Sequence, residues 1–141
     1  MSATGLDVFD KTLQKTHVWL DDLMEAQPGI SKPSAWHTLT ATLRTLRDKL
    51  PADLAAHLAA QLPMLLRGAF YEQYDPARQP MPLRTREEFI QQVQATPGMT
   101  QKIDAEAVSA ALQVLSHHVD AGLVEKLRHA LPDETRELWA A

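Results

Sequence analysis

Six histidines, several adjacent carboxylates and an arginine–tyrosine cluster are the groups in this sequence that could do chemistry. A zinc site on one helix needs two ligands at i, i+4, as in His-Glu-x-x-His, and no two of the histidines stand at that spacing. His117 and His118 are neighbours, so on a helix their side chains diverge by about 100°. His37 and His57 are expected to face solvent. The chain has no cysteine, which excludes disulfides, thiolate nucleophiles and cysteine-ligated zinc or iron–sulfur sites. Ser31, Ser34, Ser109 and Ser116 stand in helix caps or ordinary helical contexts, without the strained turn that exposes a nucleophile. Glu87 and Glu88 suit the opening turn of a helix, where the dipole favours acid, and Asp21 and Asp22 read as a solvated face. No glycine-rich loop precedes a helix to cradle phosphate. No catalytic, cofactor-binding or metal-ligating residue is therefore assigned, and no cofactor is expected.

The strongest case for function rests on Arg67-Gly68 followed by Tyr71, Glu72 and Tyr74. Glycine inside a helix costs about 1 kcal/mol relative to alanine, which implies a close approach by another group at Gly68. Arginine and tyrosine dominate binding hot spots, so the group reads as a partner surface. The competing structural reading gives Arg67 and Glu72 internal hydrogen bonds. Trp19 falls on the shoulder of the first helix's apolar stripe and is expected to be half-exposed, as at a homodimer or partner contact. Trp36 falls on the seam of the second helix and is expected in the core. A weaker alternative is nucleic-acid binding through Arg44, Arg47 and Lys49 beside Arg67, or through Arg78, Arg84 and Arg86. Asp48 and Asp53 dilute the first of these clusters.

The net charge of −4 is the wrong sign for a protein that lives on phosphate backbones. No apolar run approaches the roughly 20 residues of a membrane span. The opening Met-Ser-Ala-Thr-Gly has neither the basic start nor the apolar stretch of a signal peptide, and the expected location is the cytoplasm. A homodimer or an unidentified protein partner is expected, without membrane or nucleic acid.

Few glycines, and prolines confined to apparent boundaries, favour helices over strands. Phe9, Leu13, Thr16, Leu20 and Leu23 form one helical stripe over about Leu6–Ala26. Ser31 or Ser34 caps a second helix, with Pro33 tolerated in its opening turn. Trp36, Leu39, Leu43, Leu46 and Leu50 form its narrow seam, suited to another helix. Pro51 breaks it. Leu54, Leu58 and Leu62 belong to a third helix, and Pro63 opens a fourth through Leu66, Ala69 and Phe70. Tyr74–Arg84, rich in proline, reads as an extended linker. Thr85-Arg-Glu-Glu88 is a capping box that starts the next helix, with Phe89 and Val93 inward.

The pattern then recurs without a gap. Pro28-Gly29 returns as Pro97-Gly98, a shift of 69 residues. The same shift carries Leu39 to Val108, Leu43 to Leu112, Leu46 to Leu115, Leu50 to Val119, Leu54 to Leu123, Leu58 to Leu127, Leu62 to Leu131, Pro63 to Pro132 and Phe70 to Trp139. The expected fold is all-α, about eight helices in one domain. Two related four-helix units (about 7–74 and about 85–141, joined by a linker at about 75–84) share one core about a pseudo-twofold axis.

Thr12–Met24 (TLQKTHVWLDDLM), Leu43–Pro51 (LRTLRDKLP) and above all Gln61–Pro76 (QLPMLLRGAFYEQYDP) resemble the bacterial "domain of unknown function 2267" family. Gln73-Tyr74 departs from the Gly-Trp more usual there, and the second half matches mainly by its apolar pattern. The resemblance implies a small, all-helical, soluble bacterial protein. It brings no catalytic residue. The expected role is a non-enzymatic scaffold or interaction module.

Overall fold

A computed structural model describes residues 2–139. Its helices are α1 (Asp7–Ala26), α2 (Lys32–Lys49), α3 (Ala52–Ala60), α4 (Met64–Tyr71), α5 (Arg86–Gln94), α6 (Ala105–His118), α7 (Ala121–His129) and α8 (Asp133–Leu138). There is no strand among the described residues. α2, α5, α6 and α7 begin where the sequence supplies acceptors for free main-chain N–H groups. Ser31 Oγ accepts from Ser34 N at 3.2 Å, Asp104 from Ala107 N at 2.9 Å and Asp120 from Leu123 N at 3.1 Å. Thr85 and Glu88 complete a reciprocal capping box, and the N–H groups of Thr85 and Arg84 hold the Glu88 carboxyl below its usual range. Pro51, Pro63 and Pro132 occupy N-caps, each ending one helix and opening the next. Gly29 and Gly98, at φ of +90° and +87°, make left-handed turns before α2 and α6 that a side chain would strain.

The centre of the molecule is α2 packed on α6. Leu39, Leu43 and Leu46 on one side and Val108, Leu112 and Leu115 on the other are all buried. Each contributes about 2 kcal/mol by leaving water. α1 lies across both helices, α5 packs on α2, α4 fills the angle between α1 and α2, and α8 sits against α5 and α6. α3 and α7 meet at the edge. The short elements bring Leu58, Leu62, Leu66, Phe70, Leu127 and Trp139 into the same core.

Four expectations need correction. Phe9 and Leu13 are exposed, because the opening turns of α1 meet only the start of α4 whereas its later turns are enclosed. Trp36 is half-buried rather than enclosed, since it stands at the open end of the seam near the start of α2. Leu54, in the opening turn of α3, is likewise half-buried. The proline-rich segment is no free linker. Met81 N donates to Asp48 O at 2.8 Å, Lys49 Nζ to Met81 O at 3.0 Å, and Leu83 is buried. These bonds satisfy the Asp48 carbonyl and the Lys49 ammonium at the end of α2.

Leu43→Asp strands a charge in the α2–α6 seam, with an expected loss of at least about 4 kcal/mol in urea unfolding. Wild-type stability in that variant would contradict the seam. Thr42 is enclosed, and its hydroxyl finds no hydrogen-bond partner among the described residues. Thr38, Thr40 and Thr45, by contrast, donate to carbonyls one turn back. Thr42→Val removes a buried unsatisfied group and is expected to raise stability by about 1 kcal/mol, read by the same unfolding curve.

Candidate functional site

Short helices leave many end carbonyls for few residues, and arginines go there first. Arg67 Nε donates to Ala59 O at 2.8 Å, and its Nη2 to Leu62 O at 3.0 Å and Ala60 O at 3.4 Å. It therefore ties α4 to the last turn of α3. Arg136 does the same for α8 and α7, with Nε on Arg128 O and Nη2 on Leu131 O, both at 2.9 Å. At the far end of α4, Arg44 Nε donates to Ala69 O at 2.7 Å and Arg47 Nη1 to Phe70 O at 2.6 Å and Glu72 O at 2.8 Å.

Arg47 is only 3 % exposed. Asp48 takes its remaining donors at 2.8 and 3.1 Å, and its guanidinium lies 5.2 Å from the centre of the Tyr74 ring. The Tyr74 hydroxyl donates to Gln79 Oε1, and Gln79 Nε2 in turn donates to the carbonyls of Arg47 and Leu50. Glu72 pairs with Arg44 at 3.2 Å. Tyr71, edge-on to Phe70 and tilted against Tyr74, keeps an open face, and so does the Glu72 side chain.

The arginine–tyrosine cluster thus divides. Arg67 and Glu72 make the internal bonds of the structural reading, Arg44 and Arg47 are consumed by main-chain carbonyls, and Tyr74 braces the segment after α4. Arg78 and Arg84 face solvent, and half-buried Arg86 lies 4.0 Å from Glu87. The close approach expected at Gly68 is absent: a Cβ there would meet nothing within 4 Å, because that face of α4 is exposed.

Trp19 is 4 % exposed, not half-exposed. α6 packs over the shoulder of α1 and places the His118 ring on the indole, with centroids 4.8 Å apart. Asp22 Oδ2 then stands 2.8 Å from His117 Nδ1 and 3.3 Å from His118 Nε2. The two imidazoles converge despite the divergence of their Cβ directions, because each presents a different nitrogen at the end of α6. Nothing in the spacing announced this, since Asp22 lies 95 residues from His117. The cluster joins α1 to α6. Among the described residues, no group of three or more histidines and carboxylates is arranged to hold a metal ion.

Trp19 and Arg67 do meet across a cleft of about 420 Å³, with Lys15, Gln61 and His118. Its polar groups are largely engaged already, Arg67 with carbonyls and Gln61 with Asp120 N at 2.8 Å. A second space is of another kind. Leu13, Thr16, His17 and Leu20 of α1, with Trp36 of α2 and Leu65 of α4, line a hollow of about 150 Å³ whose walls are almost wholly apolar. Of its lining Leu13 and Leu65 are exposed, as are Leu6 and Phe9 at the start of α1 and Met64 at the start of α4. Leu65 N donates to Thr12 Oγ1 at 2.9 Å, which fixes the start of α4 beside α1.

No helix among the described residues is long and apolar enough to cross a membrane. The model of DUF2267, an uncharacterized conserved protein family, matches residues 16–138, and the chain belongs to that family. No curated protein matches it.

Arg67→Ala and Arg136→Ala each remove charge-assisted bonds to helix-end carbonyls. Each is expected to cost about 2 kcal/mol in urea unfolding, alike because the bonds are alike. An Arg67→Ala variant as stable as wild type would return Arg67 to the partner surface.

Proposed function

We propose that this member of the family is a non-enzymatic helical scaffold, made of two related four-helix units, which works by protein contact through the apolar face shared by α1 and α4. The duplication is supported by helix limits that recur at the 69-residue shift. α3 (Ala52–Ala60) falls on α7 (Ala121–His129), α2 and α6 end at equivalent residues, and α4 and α8 begin at equivalent residues. The Arg67 and Arg136 bonds run to equivalent carbonyls. The shift places the opening turns of α1 on the proline-rich segment, so that part of α1 has no helical counterpart in the second unit.

One observation carries the functional reading. The stripe that buries Thr16, Leu20 and Leu23 continues unbroken toward the start of α1 through Leu13 and Phe9, which are 37 % and 52 % exposed. Exposed apolar side chains are ordinary singly, whereas a contiguous face beside a hollow marks an interaction site. The nucleic-acid alternative has lost Arg44, Arg47 and Arg67 to internal carbonyls. In the polar hollow of about 370 Å³ beside Thr45, Gln73 and Gln92, Arg44 and Arg47 are already bonded to carbonyls, which weighs against the enzyme alternative.

A tagged chain carrying Leu13→Lys and Leu65→Lys is expected to melt within about 3 °C of wild type, both side chains being partly exposed. In pull-down it should lose associated protein, a second copy included, while Tyr71→Ala retains it. Full retention by the double variant removes this face from consideration.

A further inference from the structure

The hollow on α1 has the form of a hole awaiting a knob. Leu13, Thr16, His17 and Leu20 stand at i, i+3, i+4 and i+7, the four positions that surround a side chain inserted from a second helix in knobs-into-holes packing. Trp36 and Leu65 deepen it on the side of the body. A space of about 150 Å³ lined by apolar side chains is the size that accepts a benzene ring. The exposed aromatic ring on the same stripe belongs to Phe9, one turn before Leu13 and 52 % exposed. At 100° per residue, Phe9 lies between Thr16 and Leu13 around the helix axis and faces the same way as the hole.

Building on the interaction face just described, we propose that its partner is a second copy of this chain. The two α1 helices cross antiparallel, and each Phe9 ring fills the other's hole. A knob and a hole displaced along one helix face satisfy each other under a twofold axis placed midway between them, here near Leu13. Charge follows the same symmetry. Asp10 and His17 lie seven residues apart along one flank of the stripe, so the crossing sets each Asp10 carboxylate, which also accepts from Ser2 Oγ and from Thr4 N and Oγ1 of its own chain, level with His17 of the partner subunit. Lys11, paired with Asp7 of its own helix at 3.1 Å, and Lys15 fall on the opposite side, away from the axis.

The area is adequate. A large apolar side chain offers about 200 Å². Leu6, Phe9, Leu13, Met64 and Leu65 are each roughly half-exposed, so they give about 500 Å² per copy. A pair buries about 1,000 Å², the lower bound for a specific association. That size points to a dimer that dissociates at low concentration.

Sedimentation equilibrium of the full chain up to about 1 mM tests this. Wild type is expected to pass from monomer to dimer over that range. Phe9→Ala removes two knobs per dimer and is expected to weaken association at least about 100-fold with unchanged melting temperature. His17→Glu, which sets like charges level, should weaken it as well, and Tyr71→Ala should leave it unaltered. A wild-type chain that stays monomeric throughout, or a dimer indifferent to Phe9→Ala, overturns the proposal. The broader reading stands or falls separately: capture that depends on Leu13 and Leu65 in a chain found monomeric would keep the interaction face and discard the second copy as its occupant.

Discussion

The packing of α2 on α6 is the constraint from which the rest follows. Its contact surface is leucine and valine, with buried threonines that mostly turn their hydroxyls back onto their own helix. The interior so formed leaves polar chemistry to the edges. The remaining elements are short, from six to nine residues apart from α1. Short helices expose proportionally more end carbonyls, each of which needs a donor. The protein meets that demand with side chains. Arg44 and Arg47 close the end of α4, Arg67 that of α3, Arg136 that of α7, and Arg128 reaches Trp139 O at 2.6 Å. Cations that look free along the sequence are the fasteners of a fold made from many helix ends.

That explains what the sequence made legible and what it hid. Helix positions followed from periodicity and from caps such as Ser31 and Thr85, both of them local signals. The seam residues were legible because a two-sided leucine pattern has few ways to be buried. Arg67 was ambiguous, since a guanidinium bonded to carbonyls and one awaiting a partner carry the same letter. Trp19 was misjudged because its position on one helix says nothing of α6 arriving across it. The Asp22–His117–His118 cluster had no signal in linear spacing at all. Phe9 and Leu13 were read as buried on sound periodicity. What failed was the assumption that every apolar stripe finds its cover within one chain.

With the arginines, the histidine–aspartate cluster and the tyrosine brace engaged within the fold, exposed apolar side chains remain at the early part of α1 and the start of α4. Opening turns of a helix held to the body mainly at Thr12 and Leu13 gain little from propensity alone, since helices in water depend on covering an apolar face. The family match also begins at residue 16, so the opening turns lie outside the region shared with the DUF2267 model.

Amide hydrogen exchange followed residue by residue in dilute solution tests this division most directly. Slowest exchange should fall together in α2 about Leu39–Leu46 and in α6 about Val108–Leu115, as one cooperative unit. The helical amides of residues 10–15 should exchange far faster. If those amides in dilute solution were as protected as the α2 seam, or if α2 and α6 opened independently, the account of a closed two-helix centre with a spare face on α1 would be contradicted.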